Sequence, residues 1–295
     1  VPIGLPEEFA GAIPDARPDV QWISAEDVKR SFPRRDRFSH KGTYGRTLLM
    51  GGSVFYPGAM VLAAEGAIRS GVGLVQVATV EAAAAAVLSR VPEAIIGEQL
   101  SADISLEGMN SILAGPGLGR DPEARRLVAR LLHESPCPLV LDADALAVLE
   151  GKAEVLRQCA QPVVITPHPG ELARLLGQSV DAIQQDRPAA VREAAERTGA
   201  TVVLKGSGTL VARAGQVAWM NLNGNPGMAC GGSGDVLAGL LAGLLAQGLE
   251  PVEAACAAVW LHGTAGDIAS WKATQAAMKA GDIANALPEA FRHIC

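Results

Sequence analysis

Thr201-Val202-Val203-Leu204-Lys205-Gly206-Ser207-Gly208-Thr209 joins a short aliphatic run to a glycine-rich loop with no spacer between them. Such a run reads as a buried strand, and the glycines end it. Outward from this stretch the same unit recurs: Thr47–Met50 leads into Gly51-Gly52-Ser53, and Ser111–Ala114 into Gly115-Pro116-Gly117-Leu118-Gly119. Leu74–Ala78, Leu139–Leu141 and Val163–Thr166 are further runs of the same type. Helical patterns lie between them at Gly58–Ser70, Pro122–Glu134 and Val180–Thr198, and Ala82–Ala86 fits one more helix. This alternation argues for βαβ units, hence an α/β fold with a mostly parallel central sheet and helices on both faces. Thr209–Ala212 and Gln216–Asn221, separated by Arg213-Ala214-Gly215, read as a hairpin. The last third is helical over Gly232–Gln247, Pro251–Ser270 and Gly281–Phe291.

Composition narrows the class. Hydrophobic residues make up 49% and charged residues 19%, which excludes a disordered or fibrous chain. The formal charge is −6, and Lys and Arg are scattered apart from Arg34, Arg35 and Arg37, so no basic stripe for nucleic acid is present. A phosphate site must therefore come from backbone geometry. Five cysteines (Cys137, Cys159, Cys230, Cys256 and Cys295) with no C-x-x-C spacing argue for reduced thiols rather than a disulfide framework or a zinc site. Val1 to Val20 lacks the basic segment and apolar core of a signal peptide. Val236–Leu249 is interrupted by Gly239, Gly243 and Gly248 and is short for a bilayer span. The expectation is a cytoplasmic protein that touches neither membrane nor nucleic acid.

In parallel sheets, ligands bind beyond the carboxyl ends of the strands, where these glycine segments fall. Gly231-Gly232-Ser233-Gly234-Asp235 is the strongest of them, because it opens the apolar helix that comes next. Free N–H groups at a helix start form an anion site, and Asp235 stands in the first turn beside it. The competing reading is that Asp235 only caps the helix. No Walker loop occurs, and Arg120 breaks a dinucleotide fingerprint at Gly115–Gly119. Neither H-E-x-x-H nor a nucleophile elbow is present. In Thr166-Pro167-His168-Pro169-Gly170-Glu171 two prolines stiffen a loop. There His168 either enters the cleft or is solvated, and Glu171 either holds a magnesium-bound water or favours the helix start. Asp142 and Asp144 follow the run Leu139–Leu141, where carboxylates can bind metal, but the cap reading is preferred, and His262 reads as a packed residue.

Several stretches together resemble the NAD(P)H-hydrate dehydratases, a family of the ribokinase-like superfamily. They are His40-Lys41-Gly42-Thr43-Tyr44-Gly45, Tyr56-Pro57-Gly58-Ala59, Ala114–Gly119, Asp142-Ala143-Asp144-Ala145-Leu146 and Thr166–Glu171. Asn223-Gly224-Asn225-Pro226-Gly227-Met228-Ala229, which leads to Gly231–Asp235, completes the set. The likeness starts near Ser24, so residues 24–295 are expected to form one ribokinase-like domain and residues 1–23 an extension. Cys230 departs from the pattern, where Thr or Ser is expected.

The resemblance implies repair of a hydrated nicotinamide cofactor, NADHX or NADPHX. A nucleotide phosphorylates the C6 hydroxyl, phosphate leaves, and NADH or NADPH is restored. It makes Asp235 the base and the Gly231, Gly232, Ser233 and Gly234 amides the anion hole. Lys205, Gly206, Ser207, Gly208, Thr209 and Gly234 would line the adenine nucleotide. Ala59, Gly117, His168 and Asp235 would contact the hydrated cofactor. Glu171 is the candidate on the side of Mg2+. ADP is expected over ATP as donor, the S epimer as substrate, a separate epimerase for the other epimer, and a homotetramer. The rival readings are a ribokinase-like kinase for a small alcohol and a non-catalytic nucleotide sensor.

Overall fold

The computed structural model describes residues 20–32 and 35–294. Val1–Asp19, Arg34 of the basic cluster and Cys295 lie outside the described residues. The strands are β1 (Val20–Trp22), β2 (Arg46–Met50), β3 (Leu74–Ala78), β4 (Ile95–Ile96), β5 (Ser111–Ala114), β6 (Leu139–Leu141), β7 (Val163–Ile165), β8 (Thr201–Leu204), β9 (Thr209–Ala212) and β10 (Ala218–Asn221). They form a 10-stranded sheet in the order β1-β10-β9-β8-β7-β6-β5-β2-β3-β4. Within it β9 alone runs against its neighbours, as the hairpin reading requires.

The helices are α1 (Ala25–Ser31), α2 (Pro57–Arg69), α3 (Glu81–Arg90), α4 (Pro122–Glu134), α5 (Asp144–Ala147), α6 (Pro169–Leu176), α7 (Val180–Gln185), α8 (Arg187–Thr198), α9 (Ser233–Ala246), α10 (Pro251–Ala273) and α11 (Ala280–Phe291). Side chains alternate along each strand, so the sheet feeds two cores. Leu49, Val77, Leu113 and Val203 face α2, α9, α10 and α11. Leu48, Met50, Leu141 and Leu204 face α4, α6 and α8. This is the α/β architecture expected from the alternation of runs.

Two differences from the sequence reading have local causes. The expected helix Val180–Thr198 is two helices, because Asp186 leaves helical geometry (φ −142°, ψ 79°) and accepts a hydrogen bond from Ala189 N–H to start α8. Pro188 in the first turn of α8 cannot donate the hydrogen bond that a continuous helix needs. The strands β1 and β4 are short edge strands of three and two residues, too brief for a periodic signal. Val20–Trp22, from the stretch read as an extension, pairs in parallel with β10.

Helices α2 and α9 cross with no side chains between them at the point of contact. A Cβ on Gly239 would stand 1.9 Å from the carbonyl oxygen of Ala63, and one on Gly66 would stand 2.2 Å from that of Val236. The two helices therefore touch backbone to backbone. No helix among the described residues is long and apolar enough to cross a membrane.

Candidate active site

Three neighbouring strands end in polar residues that meet. Asp142 follows β6, Thr166 follows β7 and Lys205 follows β8. Their amides extend the ladder: Asp142 N–H donates to Ala114 O at 3.1 Å, Thr166 N–H to Leu141 O at 3.2 Å, and Lys205 N–H to Pro167 O at 2.9 Å. The buried carboxylate of Asp142 accepts from the Thr166 hydroxyl at 2.7 Å and from Lys205 Nζ at 2.8 Å, both on Oδ1. Glu171 brings Oε2 to 3.7 Å from the same ammonium. Burial pulls the Lys205 pKa down, but Asp142 and then Glu171 more than offset it, and the ammonium stays protonated above its ordinary range. An ion pair this buried costs a great deal of desolvation unless its remaining lone pairs and protons are also satisfied. Here Thr166 and Glu171 supply that.

Asp142 and Asp144 do not cap helices, contrary to the sequence reading. The turn between them carries Ala143 at φ +49°, a left-handed conformation that L-residues rarely adopt. It turns Asp142 toward Lys205 and Asp144 toward the loop after β5. There Asp144 accepts from Gly119 N–H at 3.0 Å and from Arg120 Nε at 3.0 Å. Residue-type preference suggested a cap, while position at the end of a strand was the better signal.

Asp235 is the third residue of α9. The helix is capped by Gly232, at φ +90°, with no side-chain cap bond. That conformation suits glycine, and Asp235 is not the cap. The first hydrogen bond closing the helix runs from Val236 N–H to Gly232 O at 3.2 Å, so the Gly234 and Asp235 amides precede it and point out of the helix start. A Cβ on Gly234 would lie 3.3 Å from Lys205 Nζ, which puts the ammonium beside these amides. Burial first, then Asp142, raises the Asp235 carboxyl to about 7, with Lys205 pulling the other way. A carboxyl poised near neutrality beside an anion-binding helix start can take and return a proton.

A cavity of about 650 Å³ opens next to this centre, lined by Lys205 to Thr209, His168, Ser233 and Gly234. Its far wall is the Asn221–Cys230 segment together with Val259, His262 and Gly263 of α10. That segment is held by Asp267, which accepts from Gly224 N–H at 2.9 Å and Asn225 Nδ2 at 3.0 Å. The Lys205–Gly208 loop is held by Arg187, whose guanidinium donates to Leu204 O, Lys205 O and Gly208 O at 3.3, 3.5 and 3.3 Å. Sequence reading missed Arg187 and Asp267, and it quoted Thr166 without giving it a role. Only their long-range contacts reveal them.

His168 is the N-cap of α6. Its Nδ1 accepts from Gly170 N–H at 3.0 Å and Glu171 N–H at 3.4 Å, which leaves the ring proton on Nε2. Nε2 stands 3.5 Å from Glu171 Oε1, and Glu171 Oε2 accepts from His168 N–H at 2.8 Å. The ring is half exposed and lines the cavity, so His168 serves the helix start and the cavity together. His262 is buried as expected, and burial drops its pKa to about 4, so it is neutral. Ala59 and Gly117 lie outside the cavity but beside each other: a Cβ on Gly117 would meet that of Ala59 at 3.3 Å. Cys230 lines the cavity as a free thiol whose pKa burial raises.

Known proteins resemble this chain over most of its length. A protein-family model described as NAD(P)H-hydrate dehydratase matches residues 47–289. The ADP-dependent (S)-NAD(P)H-hydrate dehydratase of Neisseria meningitidis is 43% identical over 86% of this chain and 88% of its own length. The bifunctional NAD(P)H-hydrate repair enzyme Nnr of Moorella thermoacetica is 39% identical over 99% of this chain, which spans 57% of that relative's length. The crystal structure of the ADP/ATP-dependent NAD(P)H-hydrate dehydratase from Bacillus subtilis, co-crystallised with ATP and Mg2+, superposes with a TM-score of 0.87 at 34% identity, covering 94% of this chain and 99% of that one. The expected ribokinase-like fold is thereby established. The chain belongs to the NAD(P)H-hydrate dehydratase family.

Proposed function

We propose that this chain dehydrates the S epimer of NADHX and NADPHX to NADH and NADPH at the expense of a nucleotide, ADP in preference to ATP. The observation that carries this reading is Asp235, raised to about 7 at the glycine start of α9. Asp235 takes the proton of the C6 hydroxyl, and the freed oxygen attacks the terminal phosphorus of the nucleotide. The bond from that phosphorus to the bridging oxygen breaks, and ADP departs as AMP. Amides of Gly231 to Gly234 and the Lys205 ammonium take the charge of the moving phosphoryl group. The C6–O bond then breaks with its electron pair going to phosphate, driven by the lone pair of the ring nitrogen. Loss of a ring proton completes the dihydropyridine.

The nucleotide occupies the cavity along Lys205 to Thr209 and Gly234, and the hydrated cofactor meets Ala59, Gly117, His168 and Asp235. Magnesium suits the donor set as an ion held mainly by phosphate and water. Among the described residues no group of three or more His, Cys, Asp or Glu side chains is disposed to ligate a metal. Magnesium needs only one or two carboxylates, and Glu171 offers one through water. When bound, it would neutralise phosphate charge. An epimerase activity would supply the S epimer from the other one. Residues 24–295 act as one catalytic domain in this reading, in a cytoplasmic homotetramer.

The test is to mix the protein with NADHX, magnesium and either ADP or ATP, and to follow the absorbance of reduced nicotinamide together with phosphate release. Growth of that band in step with phosphate supports the reading and names the donor. No growth with either nucleotide overturns it and moves the small-alcohol kinase to the front.

A further inference from the structure

The loops that follow the neighbouring strands β2 and β5 meet backbone to backbone. Gly52 N–H donates to Pro116 O at 2.8 Å, and a Cβ on Gly51 would stand 2.3 Å from the same oxygen. A Cβ on Gly115 would stand 1.8 Å from Asp142 O, and one on Gly117 would stand 2.9 Å from Tyr56 O. A shelf of backbone therefore leads from Asp142 to Tyr56, outside the cavity along Lys205 to Thr209. The β2 loop bears three exposed large side chains, Val54, Phe55 and Tyr56. The β5 loop ends in Arg120, the only cation in residues 51–56 and 115–120.

Arg120 is anchored at one edge only. Its Nε donates to Asp144 Oδ1 at 3.0 Å, while Asp144 Oδ2 accepts from Gly119 N–H at 3.0 Å. The Arg120 side chain is still 57% exposed, and its two Nη groups have no hydrogen-bond partner among the described residues. A half-exposed ion pair contributes little to stability, so stability alone does not account for a carboxylate bonded to both the loop and its arginine. A guanidinium held through Nε offers its remaining N–H donors as a preset fork, which matches the oxygens of a phosphate. Such a fork loses less freedom on binding than a loose side chain does. Asp144 also pushes up the Asp235 carboxyl, so the fork and that carboxyl share one neighbourhood.

We propose that Arg120 binds a phosphate of the pyrophosphate bridge in the hydrated dinucleotide, and so holds the hydrated ring over Gly117 and toward Asp235. The inference rests on the reading of Gly117 and Asp235 as contacts of the hydrated cofactor. Backbone on the shelf lets a flat ring approach closely, and the fork supplies the charge that the pyrophosphate needs. Asp144 acts through Arg120, as the residue that positions it.

The experiment compares two substrates with the same reacting ring: NADHX, and hydrated reduced nicotinamide riboside, which carries no phosphate. Both are given with magnesium and saturating nucleotide to the unaltered chain, Arg120→Gln and Arg120→Lys. Where the riboside is not turned over, its inhibition constant against NADHX serves instead. Arg120→Gln is expected to lower kcat/KM for NADHX about 10–100-fold, the worth of charge-assisted hydrogen bonds, and to leave the riboside within about twofold. Arg120→Lys keeps the charge without the fork and should recover only part of the loss. It also carries the comparison if Arg120→Gln does not fold. An equal loss on both substrates overturns the inference, because Arg120 then only shapes its loop. A loss confined to the KM of the nucleotide overturns it too, since the phosphate bound is then the donor's. Unchanged kinetics for NADHX in both variants overturn it and leave the proposed function intact. No turnover of NADHX by the unaltered chain overturns the proposed function, and this inference with it.

Discussion

Lys205 Nζ sits 2.8 Å from the buried Asp142 carboxylate and beside the start of α9, where a Cβ on Gly234 would approach it to 3.3 Å. The pair thus joins the floor of the sheet to the helix that carries Asp235. Asp142 pushes the Asp235 carboxyl up and Lys205 pulls it down, so the two partners act on that carboxyl with opposite sign.

Replacing either partner should therefore move the acid limb of kcat/KM in opposite directions. Lys205→Met removes a cation that lowers the Asp235 pKa, and the limb should shift to higher pH. Asp142→Asn removes an anion that raises it, and the limb should shift to lower pH. Both variants leave a buried charge without its partner and should lose about 3–5 kcal/mol of stability in urea denaturation. Limbs that stay where they are in both variants would show that the pair acts on folding alone.

Asp235→Asn should lower turnover by about 10²–10⁴ while substrate still binds. In the unaltered chain, kcat/KM should fall about tenfold per pH unit below about 7, because the proposed mechanism needs Asp235 ionised. Stability should respond in the opposite sense. The folded pKa of Asp235 lies above the unfolded one, so its charge weakens the fold progressively from about pH 4 to about pH 7. Asn carries no such charge. Asp235→Asn should be more stable than the unaltered chain at pH 8, by about 2–4 kcal/mol, and should lose that advantage near pH 4. Denaturation at both pH values checks this.

Arg187→Ala removes the donor shared by three carbonyls of the Leu204–Gly208 segment. The nucleotide KM should rise about tenfold, with kcat for the hydrated cofactor changed little. Steady-state kinetics with nucleotide varied at saturating cofactor separates the two. An equal loss in kcat would place Arg187 in the chemical step instead.

Gly239→Ala drives a methyl group into the carbonyl of Ala63, 1.9 Å away, where backbone cannot yield cheaply. It should cost about 1–3 kcal/mol or more and lower the melting temperature clearly. Gly231→Ala has nothing within 4 Å of its new Cβ and should leave the melting temperature near that of the unaltered chain. Calorimetry of the pair tests whether α2 and α9 are set by direct backbone contact.

Strand positions were legible because a run such as Thr201–Leu204 is apolar on both faces, and burial on both faces leaves a plain mark in sequence. Gly231–Asp235 was legible because a helix start must use small residues and a preceding loop. Asp142 was misread as a cap. Its meaning lies in Lys205, 63 residues further on, and no local preference encodes that distance. Arg187 and Asp267 were invisible for the same reason. They act on backbone carbonyls and amides of other segments, and backbone groups carry no sequence signature. The break at Asp186 was within reach, because Pro188 announces it two residues later.

The carboxylate, hydroxyl and ammonium of Asp142, Thr166 and Lys205 stand on three adjacent parallel strands. Neighbouring strands keep a spacing of about 4.8 Å whatever their side chains, so the ladder itself rules the distances among these groups. Loops can lengthen, shorten or be exchanged during descent without disturbing that spacing. The spacing within the charged centre is thus a property of the sheet rather than of the loops. The cavity wall is built instead by the segment from Leu222 to Cys230, a stretch after the last strand that the ladder does not fix.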